Sequence, residues 1–586
     1  EGDKTVSLTA GILKVDFDEG DNINLENTAP MTDSQGQRIT PYTFTITNTG
    51  NINAYYHISL EEDNANTLQN SYLKMRLTST DGYDSGVVKV SSYGTGTFEI
   101  TNESTLEPED EVTYTLWMWL DESAGNEVQG TLYQSKIVVE SFDREQGSNA
   151  ATAIVSNLGN NGDTNDDGDD TFITGTDPNN YVWYSGKLWR AVSINNDANT
   201  VKLVTQWNIS AIPYNEEDNT AFEGSYMEDW LNDTTVDGFL GNLRDYESFI
   251  VTDAKWNATQ TTSTSKPAET TMVEDAVGLL NMYEYTMSYS GTTYSNGYLN
   301  NGLEWWTLTP YGSSSVRRVS FYGSAFNDSP SYANGVRPSI NLKSSVRIVD
   351  GDGTIDNPYR LNGDNDTELS GTLLSSRYSG EYIRFGSGEN NLYRIVSHEN
   401  ETGTKIVSAE PLKSSGTFIT SVFGSNTTFS SANTIGTFLN SEYLTNYVDS
   451  AYSDMIEDST TWYLGTVGIG TSYKLTKYTD TSMTSTTSTT TEAKVGLLRL
   501  GELMAGQFER YAVKGGTSST ELTTNYWTLT SYSTSDVRYV LNYGYANSSS
   551  PSNARGVRPS LNLKSKVQIT GGTGTKSDPF TIELSS

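Results

Sequence analysis

His57 and His398 are the only two histidines in the chain, and there is no cysteine. The two imidazoles lie in different segments, so a two-His zinc site has no second histidine within one domain. Without Cys there is no thiolate nucleophile, disulfide or thiolate metal ligand. No H-E-x-x-H, P-loop or dinucleotide glycine fingerprint occurs. Paired carboxylates can hydrolyse glycosides, but 73 acidic residues make chance pairs certain, and no spacing singles one out. The expectation is a protein that is not an enzyme.

Calcium is the one cofactor the residue types offer. Asp163, Asn165 and Asp167, followed by Gly168, copy the first half of an EF-hand loop, yet Thr174 stands where the closing Glu belongs. Asp350, Asp352 and Asp356 form a second oxygen-rich run. Its counterpart at 570–576 keeps none of these acids and gains Lys576. Calcium is therefore expected at 163–170 or 350–356 and not at 570–578; the bland alternative is a solvated acidic linker and a turn. Arg317, Arg337, Arg538 and Arg558 accompany Trp306 and Trp527. They could stack on glycan, but buttressing their own fold is the commoner use. Trp306 and Trp527 are expected to be buried, close to Arg337 and Arg558 respectively.

Elements must position these residues. The chain is 35% hydrophobic and 11% aromatic, with 37 Tyr and 11 Trp, and it is rich in Ser, Thr, Asn and Gly. That composition favours sheet and loop over long helices. Residues 1–145 read as short alternating strands, including 42–47, 55–60, 112–120 and 131–140, which indicates a jelly-roll or β-sandwich. Val6, Leu8 and Ala10 alternate in one phase; Leu13, Val15 and Phe17 alternate in the other. A phase change puts side chains on the opposite face, so Gly11 marks a break. Residues 4–10 (Thr5, Val6, Ser7, Leu8, Thr9 and Ala10 within them) are expected to leave their own domain as a donor strand.

The rest is duplicated. Between 306–346 and 527–567, 26 of 41 positions are identical without a gap. Val277-Gly278-Leu279-Leu280 returns as Val495-Gly496-Leu497-Leu498, each preceded by a Thr/Ser-rich stretch. Trp230-Leu231-Asn232 and Phe438-Leu439-Asn440 are expected on short helices. The reading is mostly β overall: a sandwich at 1–145, an acidic linker at 146–180, two homologous α+β repeats at 181–361 and 382–586, and a linker at 362–381.

Residues 8–15, 41–50 and 54–60 resemble the camelysin/TasA family of Gram-positive surface and biofilm-matrix proteins. That resemblance implies a jelly roll, export, and fibres built by donor-strand exchange. The repeats, through their Trp-Thr-Leu-Thr, Val-Gly-Leu-Leu and Gly-Val-Arg-Pro-Ser motifs, resemble a domain of unknown function of Gram-positive surface proteins and, distantly, C-type lectin-like folds.

The net charge of −36 repels nucleic acid and anionic membrane, and no apolar run reaches the ~20 residues of a membrane span. The start at Glu1 reads as a processed chain. The expected protein is an extracellular, cell-surface or secreted fibre subunit that polymerises head to tail with copies of itself and carries two projecting repeats. The rival is a monomeric adhesin for surface glycan or protein.

Overall fold

A computed structural model describes residues 3–8, 11–18, 23–26, 28–49, 54–101, 104–107, 110–142, 148–215, 218–362, 369–399, 403–466, 489–508, 524–542 and 544–585. They fall into two compact units, 1–145 and 146–586. The fold is mostly β, as the composition implies.

The first unit has two sheets. One runs in the order Asp3–Leu8, Gly11–Asp18, Tyr42–Asn48, Glu111–Leu120, Leu73–Ser79, Val88–Lys89; the other runs Ile23–Glu26, Leu132–Phe142, Ala54–Glu62, Thr97–Glu99. Strand Tyr42–Asn48 sends Phe44 and Ile46 inward and Thr43 and Thr45 outward, the alternation of a half-buried strand. Tyr56 and Tyr114 meet in the core through their hydroxyls at 2.9 Å. Trp119 is fully buried against Gly36, where a Cβ would enter the indole.

One expectation is corrected here. Residues 3–8 do not leave the unit; they pair antiparallel with Gly11–Asp18, from Asp3↔Asp16 to Leu8↔Gly11. The phase slip before Gly11 is therefore the reversal of a hairpin. A reversal, like a break, resets which face a residue takes. Thr9 and Ala10 lie outside the described residues.

The second unit confirms the duplication. In repeat 1 the strands Tyr181–Tyr184, Lys187–Asn195, Val201–Thr205, Ser339–Leu342 and Val277–Gly278 lie side by side. In repeat 2, Tyr382–Arg384, Leu392–Glu399, Gly403–Ser408, Ser560–Leu563 and Val495–Gly496 do so in the same order. A second five-stranded sheet and a two-stranded hairpin are matched likewise. Even the irregularities recur, between Ala191 and Ser193 and between Ile395 and Ser397. Trp230 and Phe438 sit on matching helices, Tyr226–Asn232 and Thr434–Asn440.

Neither linker survives as one. Residues 148–175 supply the helix Ala150–Ser156 and a hairpin, Gly162–Asp166 with Asp170–Gly175, that extends the repeat 1 sheet. Ile154, Phe172 and Ile173 are buried in its core. Likewise Leu369 and Leu374, from the stretch 362–381, are buried in the core of repeat 2.

Candidate functional site

Each repeat centres on a lysine, a buried carboxylate and an indole; the lysine is buried in repeat 2 and half-buried in repeat 1. In repeat 1, Lys202 bonds Glu284, whose other oxygen accepts from the Asn281 amide at 2.7 Å. Asn281 in turn caps Glu284, closing a capping box at the start of Met282–Thr286. Trp256 lies over the Lys202 ammonium, 5.0 Å from its ring centre. The ring needs Gly278 beneath it, because a Cβ there would enter the indole. Repeat 2 rebuilds the set: Lys405 to Glu502 at 2.9 Å, Trp462 at 5.4 Å, Gly496 beneath. Burial pushes the Glu502 carboxyl up, but Lys405 and Arg499 outweigh it and hold it below the usual range. The charge is thus kept ionised by its partners, which makes this a structural ion pair.

The recurring arginines serve the fold as well. Trp306 and Trp527 are 0% and 1% exposed, and their indole N–H groups donate to the carbonyls of Ile212 (3.1 Å) and Ser421 (2.9 Å). Their burial is as expected; the arginine partner is off by one residue. Arg337 lies over Trp305, 4.7 Å from the ring centre, and Arg558 lies over Tyr526 at 5.2 Å. Arg337 also donates to the carbonyls of Thr205 and Leu299, and Arg558 to Ser408 and Ala409. Arg317 and Arg538 stack on Tyr311 and Tyr532 at 4.4 and 4.5 Å. Guanidinium groups committed to backbone carbonyls and neighbouring rings stitch strands together.

The calcium candidates do not converge. Asp163 and Asn165 lie on a strand, and Asp163 accepts from the next amide, Thr164. Asp167 accepts from the amides of Asp169 and Asp170, and its other oxygen meets the Lys266 ammonium at 2.8 Å and the Tyr283 hydroxyl at 3.0 Å. Lys266 reaches Asp169 as well, at 2.7 Å, so an ammonium stands between the two carboxylates of this turn. Asp350 faces Arg360 at 3.6 Å, Asp352 folds back on Thr354, and the Asp356 carbonyl accepts from Ser577. Among the described residues no three His, Asp or Glu side chains are grouped for a metal.

The carboxyl pair Glu228–Asp275 escaped the sequence reading. Glu228 is on the helix Tyr226–Asn232 and Asp275 ends the strand Met272–Asp275. Burial first, then Glu228 and Glu223, push the Asp275 carboxyl up to about 7. The pair can therefore hold one proton near neutrality. No motif marks two acids this far apart, but the duplication does: repeat 2 has Gly436 and Ala493 in their places.

Comparison with known proteins adds one finding. A family model described as a domain of unknown function (DUF6273) matches residues 198–344, within repeat 1. No curated protein matches the chain. No helix among the described residues is long and apolar enough to cross a membrane.

Proposed function

We propose that the chain is a non-catalytic structural subunit of an extracellular fibre, polymerised through its first unit and carrying two repeats. The observation that carries this reading is the place of Asp3–Leu8 at the edge of its sheet, paired with one neighbour, Gly11–Asp18. An edge strand joined to its partner by two residues can be traded between copies with its register kept, since the same ladder forms in trans. The donor strand of the sequence reading thus becomes an exchanged one: it closes its own sheet in the free chain and the next sheet in the fibre. The resemblance of residues 8–15, 41–50 and 54–60 to fibre-forming surface proteins points the same way, and so does the structural use of the recurring Lys, Glu, Arg and Trp side chains. Electron microscopy of the purified chain, with and without residues 1–10, tests this. Fibres that form equally well without the segment refute it.

One observation favours the adhesin reading. Tyr322, Phe326 and Tyr332 of repeat 1 are 68%, 52% and 60% exposed, and repeat 2 has Asn547 and Asn553 at the last two positions. Two exposed rings that only one copy has suit ligand contact better than folding; Tyr322 has a counterpart in Tyr543. Glycan-array binding lost on replacing all three with Ala would move the function to repeat 1.

A further inference from the structure

The two repeats meet through unlike faces. Repeat 1 grips with the turn 185–186, Ser210 and Trp230; repeat 2 receives with its lead-in 378–381 and with Leu500–Met504 and the residues that follow. Ser210 Oγ donates to the Met504 carbonyl at 2.6 Å, and Arg394 donates to the Gly186 carbonyl at 3.1 Å. Trp183 and Tyr382 are 6.0 Å apart. Gly506 lies against Trp230, where a Cβ would stand 2.7 Å from the indole.

The same receiving face exists on repeat 1, formed by 176–180 and Met282–Thr286, and residues 158–175 cover both parts. Asn179 and Thr176 donate their amides to the Leu158 and Asn161 carbonyls at 2.9 and 3.2 Å. The Gly175 amide donates to the Ser288 carbonyl at 3.0 Å, in the position of Gly506. Phe172 packs edge-on against Tyr283 at 5.8 Å. Tyr283 holds the covering hairpin; repeat 2 has Gly501 there.

The gripping face of repeat 2 is covered in its turn. Ile209 and Leu412 are equivalent, since each donates its amide to the matching carbonyl, Val336 or Val557. After Ile209 comes Ser210, the gripping residue. After Leu412 comes an inserted hairpin, Lys413–Ser414 with Thr417–Phe418. The turn 185–186 is likewise lengthened to 385–391. The two insertions bind one another: Lys413 N to Asn390 Oδ1 at 2.8 Å, Asn390 Nδ2 to Lys413 O at 2.9 Å, and Gly416 N to Glu389 at 3.0 Å.

We propose that the repeat is a stacking module and that this chain blocks its stack at both ends. Residues 158–175 cover the head face and 413–418 with 385–391 cover the tail face. The partner either face fits, once opened, is the opposite face of a second copy of this chain. Stacked arrays require polar terminal elements for solubility, and both covers are polar outside: Asp163, Asp166 and Asp169 at one end, Ser414, Ser415 and Gly416 at the other are exposed.

Three variants of the whole chain test this, one opened at the tail and two at the head, each also prepared without residues 1–10 so that strand exchange in the first unit cannot produce the result. The tail is opened by deleting 413–418. The head is opened by Tyr283→Gly, which removes the hairpin's aromatic hold, and separately by Phe172→Asp with Lys266→Glu. Sedimentation velocity should show each variant unassociated alone and a one-to-one complex when tail-opened and head-opened chains are mixed. Hydrogen exchange at residues 162–175 shows which head variant has released its hairpin, and that variant is the one mixed; Tyr283→Gly, the milder change, keeps the test valid if the double substitution unfolds. A mixture that stays unassociated while both chains retain cooperative melting overturns the proposal, and so does association of either variant with itself.

Discussion

At the scale of single residues, the duplicated tryptophans and one unduplicated acid make separate predictions. Trp306→Ala and Trp527→Ala remove buried indoles and should each cost about 3–5 kcal/mol by urea unfolding; similar losses are expected because both sites are closed and both indoles are bonded to a carbonyl. A negligible loss at either would mean that burial and the carbonyl bond of that indole do not stabilise the repeat. Asp275 predicts a pH effect with a definite sign. Its folded pKa is raised, so its contribution to stability is complete below the usual carboxylate range and is lost as pH rises through about 7. Melting curves of Asp275→Asn should fall less steeply than those of the parent across that window; parallel curves would show that no shared proton is held. The buried tryptophans were legible from their recurrence. The ring beneath each arginine was not, because Trp305 and Trp306 point to opposite faces of one strand and sequence does not say which face the arginine takes. The Glu228–Asp275 pair carries no motif because only folding brings a helix acid to a hairpin acid; its one trace in the sequence is that repeat 2 lacks both acids.

At the scale of elements, acidic composition hid a strand. Residues 163–170 read as a linker because Gly162–Asp166 is an outer hairpin strand with no apolar alternation; its only apolar signal is Phe172-Ile173 in the strand that returns. The same acids suggested calcium, yet the Lys266 ammonium stands between Asp167 and Asp169, from the Thr/Ser-rich stretch that precedes Val277-Gly278-Leu279-Leu280. Lys266→Ala leaves Asp167 and Asp169 without their counter-charge and should cost at most about 1 kcal/mol, since the pair is partly exposed and screened. The parent should melt unchanged on adding chelator. A fall in melting temperature on chelation would return calcium to this turn. The repeats part at the turn 385–391 and the hairpin 413–418, and both lie at the tail end of the stack.

At the scale of the whole molecule, two assembly routes compete for the same chain, and sheet edges decide between them. The second unit offers faces that could propagate indefinitely, because a head-to-tail contact between unlike surfaces does not close on itself; both are covered. Among the described residues of the first unit, Asp3–Leu8 is an edge strand paired on one side, and an open edge is a hazard that proteins otherwise blunt. Retaining one at Asp3–Leu8 makes sense if the edge is used. Exchange then has a kinetic signature that simple docking lacks. The strand must leave Gly11–Asp18 before it can pair in trans, so polymerisation should be limited by a unimolecular opening whose rate does not depend on concentration. Stapling the hairpin should suppress fibres without unfolding the unit, and the chain's lack of cysteine makes the experiment clean. Val6→Cys with Leu13→Cys places two thiols at directly paired positions, close enough across a sheet for a disulfide. Fibres should fail to form when the pair is oxidised and return on reduction. Oxidised chains that polymerise at the parental rate would show that assembly uses another surface and that the first strand stays at home.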